Sequence, residues 1–225
     1  MFAVIFEVVP KQELWNEYLD LAKLLKPEIE KIDGFIDNER FASHRTQGRL
    51  LSVSTWRDEK AVIRWRTLAA HHMVQEKGRF EVFQDYHLRV GEFTADNQVP
   101  PGQTLRQQRL DETETGDAKC VTISELSPTA GDEPAAADLA TDLGLPQPAA
   151  QGLLDHHVYT SIYNPGKLLL LGSWSNAELA AAWKPRPPQR GALRHRQVRV
   201  VRDYGMFDRR EAPQYYPDVE GPGRR

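Results

Sequence analysis

Two adjacent histidines, His71 and His72, follow Trp65 by six and seven residues in a stretch that predicts one helix from Glu59 towards Lys77. Seven residues make almost two α-helical turns. On a continuous helix Trp65 and His72 therefore share a face, while His71 points about a third of a turn away. A histidine beside a tryptophan on a pocket-facing stripe suits general-base chemistry on an apolar substrate. A hydrogen-bonded histidine at the core boundary fits the same spacing. Glu7 is the second candidate, a carboxylate inside the strand-like run FAVIFEVV. In a dry pocket its pKa would rise and it would serve as an acid or base. Pairing with an arginine, or a place at a sheet edge, accounts for it as well. Trp65, Trp56 and Phe41 offer aromatic surface, either for pocket walls or for plain core packing.

Other chemistries find no support. The histidine pairs His71-His72 and His156-His157 are adjacent, so their members point to different faces of a helix or strand, and no further ligand has a recognisable metal-binding spacing. There is no Gly-rich dinucleotide fingerprint, P-loop or nucleophile elbow, so no motif holds a flavin or nicotinamide. Cys120 is the single cysteine and excludes an intrachain disulfide. Its setting, CVTISEL, reads as a buried strand and suits a reducing compartment. The net charge of −3 and the absence of a basic domain argue against nucleic acid as the main partner. No run reaches the ~20 apolar residues of a membrane span, and the N-terminus lacks the pattern of a secretory signal. A cytoplasmic location is expected.

The elements that must position these residues follow from periodicity. Phe2 to Val9 is a strand ended by Pro10, and residues 11–31 carry apolar positions at helical spacing, with Pro27 marking a kink or a final turn. Gly34 permits a sharp turn into a strand at Phe35 to Ser43. Gln47-Gly48 reads as a hairpin turn into a third strand, Arg49 to Trp56. Asp58 is a plausible N-cap for the second helix and Gly78 its terminator. Phe80 to Val90 alternates as a fourth strand. The order β-α-β-β-α-β is the ferredoxin-like split βαβ arrangement.

Shifted by 118 residues, the chain matches itself without a gap. Gly34 falls on Gly152, Glu7 on Glu125, Trp56 on Trp174, Trp65 on Trp183, and Tyr86 on Tyr204. The expected organisation is a first repeat at 1–93, a linker at 94–118, a degenerate second repeat at 119–208 and an irregular tail at 209–225. The fold class is α+β, with two ferredoxin-like repeats packed sheet to sheet. The second repeat has no match for His71 or His72, and its second helix must stop at Lys184-Pro-Arg-Pro-Pro188. It reads as a structural partner that has lost part of a pocket. Pairing of the repeats within one chain is expected, and homodimerisation of the whole chain stays open.

The Gly34-Phe-Ile turn, Thr55-Trp-Arg-Asp-Glu-Lys-Ala61, Trp65-Arg66, His72, Gln75, Gly78-Arg79 and Asp85-Tyr86 resemble the antibiotic biosynthesis monooxygenase family of dimeric α/β barrels. The resemblance covers residues 1–93 well and 119–207 more weakly. It implies an intramolecular dimeric α/β barrel and a monooxygenase acting on a small aromatic, quinol-like or otherwise hydrophobic molecule without a bound metal or flavin. His72 or Glu7 would then be the base, and Trp65, Trp56 and Phe41 would line the pocket. Two other functions stay open. The heme-degrading branch of the superfamily pairs a first-strand Asn with a Trp and a later His. Here Trp65 matches, but Glu7 and Gln75 stand where the Asn and His belong, leaving His72 as the alternative iron ligand. A non-catalytic ligand-binding or interaction module is the third.

Overall fold

The computed structural model describes residues 1–129, 135–189 and 191–221. Strand alternation sets the architecture. Along β1 (Phe2–Pro10), Phe2, Val4, Phe6 and Val8 point to one face, while Ala3, Ile5 and Glu7 point to the other. Both faces are largely apolar, so both must be covered.

The first half continues with α1 (Trp15–Glu30), β2 (Phe35–Ser43), β3 (Leu50–Trp56), α2 (Glu59–Thr67), α3 (Ala69–Lys77) and β4 (Phe83–Asp96). The second half contains β5 (Cys120–Ser127), α4 (Leu139–Asp142), β6 (Leu153–Ser161), β7 (Leu168–Trp174), α5 (Ala177–Ala182) and β8 (Ala192–Gly205). Pro27 does not break α1. It lies in the last turn, where the carbonyl deprived of a donor is that of exposed Lys23. Gly78 does not terminate α3 in a left-handed conformation either. A π-helical turn at Gly78–Val82 follows, and Gly78 is needed because a Cβ there would lie 2.4 Å from the Phe83 ring.

The strands form one closed antiparallel barrel in the order β1-β3-β2-β6-β7-β5-β8-β4. The four strands of each half join those of the other edge to edge at β2–β6 and β4–β8. Closure leaves no free sheet edge. Ile5, Phe41, Leu51, Val53, Ile123, Leu169 and Val198 fill the interior. The helices lie outside, over each half's outer sheet face.

The pairing registers show where the ungapped match fails. Glu7 pairs with Leu51 and Glu125 with Leu169, which keeps the offset of 118. Phe2 pairs with Glu92, however, and Cys120 with Arg199, which drops the last-strand offset to 107. Tyr86 and Tyr204 are therefore not structurally equivalent. The second half is eleven residues shorter between α5 and β8, where it has no counterpart of α3 among the described residues.

The β4–β8 seam is tight. A bulge shifts its register between Val90 and Gly91, and a Cβ on Gly91 would stand 2.3 Å from the Arg199 carbonyl oxygen. Gly91→Ala should therefore destabilise the fold by about 1–3 kcal/mol, the usual cost of overpacking. Thermal unfolding should show a lowered Tm, and an unchanged Tm would refute the close-approach role of Gly91.

Candidate active site

The helix expected over 59–77 is two helices. Asp58 caps α2 as expected, its side chain accepting the Ala61 N–H at 2.8 Å. At the other end Leu68 turns extended (ψ 128°). The Thr67 hydroxyl donates to the Ile63 carbonyl at 2.9 Å, a back-bond that weakens helix propagation. This break rotates α3 relative to α2. The Trp65 carbonyl then accepts the Leu68 N–H at 3.2 Å and His71 Nδ1–H at 2.9 Å. His71, not His72, stacks on Trp65, with ring centroids 4.0 Å apart and planes 16° apart. His72 is exposed and lies against Tyr216, whose hydroxyl is 3.0 Å from its Nδ1.

The helices do not fill the space above the first half's sheet. A cavity of about 490 Å³ lies there, with Trp65 and His71 in its wall. Its floor is two cross-strand rows. One runs Asn38, Ser54, Val4, Val90, Arg202, and the other Arg40, Ser52, Phe6, Leu88, Tyr204. Tyr18, Leu25, Ile29, Val62 and Val74 contribute apolar surface from the helices. In the corresponding region of the second half, the described side chains pack against one another. Trp183 donates its Nε1–H to the Gly144 carbonyl at 3.1 Å and packs on Trp174, among Leu139, Leu143 and Leu145.

Only Trp65, among the residues expected at the site, lines this cavity. Trp56 is fully buried, its Nε1–H bonded to Ser54 Oγ at 2.9 Å and its ring edge-on to Phe35. Phe41 faces the barrel interior, since β2 exposes Asn38 and Arg40 to the helix side and Phe41 to the other. Glu7 is likewise on the interior face. It accepts hydrogen bonds from Arg89 at 2.7 Å and from the Tyr159 hydroxyl at 2.6 Å. Burial alone would raise the Glu7 pKa. His87, Arg89 and Tyr159 outweigh it and hold the carboxyl well below the usual carboxylate range. So placed and so acidic, Glu7 is a structural anion and not a base for the cavity.

Sequence reasoning missed His71, Arg40 and Tyr204. The signal for His71 was Thr67, whose hydroxyl could reach back into α2. Arg40 was readable as the helix-side neighbour of Asn38 on β2. Arg40 and Arg66 both line the cavity, and each has a buried Nε with no hydrogen-bond partner among the described residues. Burial pushes the His71 pKa down to about 4, against the Trp65 hydrogen bond that favours the cation. At neutral pH the ring is therefore uncharged. With its Nδ1 proton committed to a carbonyl, Nε2 carries the free lone pair.

Residues 1–77 match the family model described as antibiotic biosynthesis monooxygenase. A relative from Pyricularia oryzae, "Jasmonate monooxygenase ABM", is 43% identical over 222 residues, covering 96% of this chain and 99% of its own. The chain belongs to the antibiotic biosynthesis monooxygenase family. Among solved structures, an aldoxime dehydratase is similar with a TM-score of 0.53 at 13% identity, over 89% of this chain and 81% of its own, a likeness of fold. A structure described as antibiotic biosynthesis monooxygenase matches over 40% of this chain and 95% of its own, at 17% identity and a TM-score of 0.37. No described helix is long and apolar enough to cross a membrane.

The interior network makes a pH prediction for this family member. His87 donates to Asp203 Oδ1 at 2.5 Å and stands 3.7 Å from Glu7. Burial opposes its charge, but Asp203 and Glu7 prevail and raise its pKa from 6.5 to about 9. A raised histidine pKa contributes stability that is fully present below pH 6.5 and is lost as pH rises through 9. The Tm should therefore fall across that window, and His87→Phe should flatten the fall. Equal slopes for wild type and variant would remove His87 as the cause.

Proposed function

We propose that the first-half cavity is the active site of a monooxygenase acting on a small, mostly apolar molecule that carries an anionic or carbonyl oxygen. The observation that carries this reading is His71: an uncharged imidazole in the cavity wall, its Nδ1 proton held by the Trp65 carbonyl and its Nε2 free to accept a proton. The relative's name points to jasmonate as a first probe. A quinol-like phenol is the second, since the cavity has an apolar ceiling and an indole wall. Arg40 or Arg66 would hold the substrate's oxygen, because each keeps a buried N–H to donate.

The chemistry asked of the protein is modest. His71 takes a proton from an activated C–H or O–H group, and the apolar walls exclude water around the resulting anion. The electron-rich anion then reacts with dioxygen. For an activated CH₂ group the balance closes without an added reductant: carbon loses two hydrogens and gains one oxygen atom, and the second oxygen leaves as water. Hydroxylation of a simple C–H needs two further electrons from a reductant in solution. No metal or flavin enters this scheme. The heme alternative named His72 as the iron ligand; His72 stacks on Tyr216 and does not line the cavity, which counts against that residue in that role.

We further propose that the two halves are copies of one unit. The constant offset across three strands supports it, as does the change confined to the segment where the second copy lacks an equivalent of α3. The second copy kept its strands and filled its own pocket with Trp183. A cytoplasmic, single-chain barrel is the form this reading expects.

The test is oxygen uptake and incorporation of labelled dioxygen with jasmonate and a quinol panel, with and without added reductant, flavin or heme. On a substrate that is turned over, His71→Ala should lower kcat by about 10²–10⁴-fold, the usual contribution of a positioned base. His72→Ala should stay within a few-fold. The acid limb of kcat/KM should lie near pH 4 and not near 6.5. Full activity in His71→Ala would dismiss the base. Turnover only after addition of heme or flavin would overturn the cofactor-free scheme, and no turnover of any probe would favour a non-catalytic binding module.

A further inference from the structure

The cavity belongs to the first half, yet the second half closes its floor. The two edges of the first-half sheet, β2 and β4, are each paired across a seam, so the next residues along each row come from the other half. At the β2 end, Tyr163 follows β6 and its hydroxyl accepts from Arg40 at 3.3 Å. At the β4 end stands Tyr204, opposite Leu88. The row Arg40, Ser52, Phe6, Leu88, Tyr204 crosses four inter-strand gaps, about 19 Å along the sheet at the usual spacing. Its ends are polar and its middle is apolar.

Tyr204 is only 8% exposed and lines the cavity. Its hydroxyl bonds to no described residue, yet it is not among the side-chain atoms sealed from solvent without a partner, so it keeps an accessible donor. The ring itself is held from behind, where the Arg209 guanidinium lies 5.5 Å from its centroid. Burial, assisted by nearby Tyr86, pushes its pKa up to about 12, so at neutral pH it is a neutral donor.

We propose that Tyr204 is a substrate-contacting residue of the first-half cavity, donating its hydroxyl hydrogen bond to a substrate oxygen at the end remote from Arg40. The substrate class is thereby narrowed to small molecules with two oxygen functions separated by an apolar frame: an anionic oxygen for Arg40 and a carbonyl or hydroxyl for Tyr204. The second half is then part of the site and not only a scaffold. This inference rests on the cavity being the substrate site, and the experiment separates the two.

Tyr204→Phe keeps the ring and its packing on Arg209 and removes only the donor. Binding would be measured through Trp65 fluorescence in the full chain, with jasmonate and with an analogue whose ring carbonyl is replaced by CH₂. The expected result is a Kd for jasmonate raised about 3–10-fold in Tyr204→Phe, the range for one neutral hydrogen bond, with the analogue binding wild type and variant equally. A merely structural role would weaken both ligands alike, which overturns the proposal. Unchanged jasmonate affinity in the variant, with normal wild-type binding, sinks the Tyr204 contact and leaves the cavity reading standing. If wild type binds neither ligand and Arg40→Leu makes no difference, the cavity reading falls and the Tyr204 contact falls with it.

Discussion

Edge pairing governs this molecule. Each four-stranded sheet, taken alone, would expose the backbone groups of two edge strands and one apolar face. Joining β2 to β6 and β4 to β8 satisfies both edges at once and turns the two inner faces into one filled interior. Covalent linkage of the halves makes this pairing intramolecular, so its entropic cost is that of closing a loop rather than of bringing two molecules together. The same closure explains why residues of the second half stand at both ends of the first half's cavity floor: once an edge is paired, its neighbours belong to the other half.

The two outer faces met different fates. Over the second half, short α4 and α5 leave room that Trp183 and a leucine cluster fill. Over the first half, the longer α1 and the broken pair α2 and α3 span the sheet without filling the space beneath. A void of that size forfeits packing contacts that a core would otherwise make. A floor bearing Ser52, Ser54, Asn38 and Arg40 is also poorly suited to dry packing. Polar floor and open space together support the binding role proposed for this face.

Buried charge is handled by pairing on the interior side. Glu7 is bound by Arg89 and Tyr159, with His87 bridging towards Asp203, and Glu125 is matched by Arg196 and Lys167. The recurrence of Glu7 as Glu125 thus reflects a shared structural need. Two buried carboxylates without these cations would each carry a desolvation cost of several kcal/mol. The tail is bound in the same manner, Arg79 donating to the carbonyls of Met206 and Pro217.

By itself the sequence determined the strands, the β-α-β-β-α-β order, the 118-residue recurrence of Trp56 and Trp65, and the early stop of the second half's second helix before Lys184-Pro-Arg-Pro-Pro188. These are local or periodic properties, set by alternation, capping and proline. Only the tertiary structure decided which face carries the cavity, because both faces are apolar and alternation is silent about what covers each. The choice between His71 and His72 turned on one extended residue, Leu68, which resets the helical phase by a change too small to alter the hydrophobic pattern. Tyr204 was beyond reach of any local reading. Its place in the floor depends on a seam between residues more than a hundred positions apart, and on a bulge at Gly91 that shifts the register by one residue.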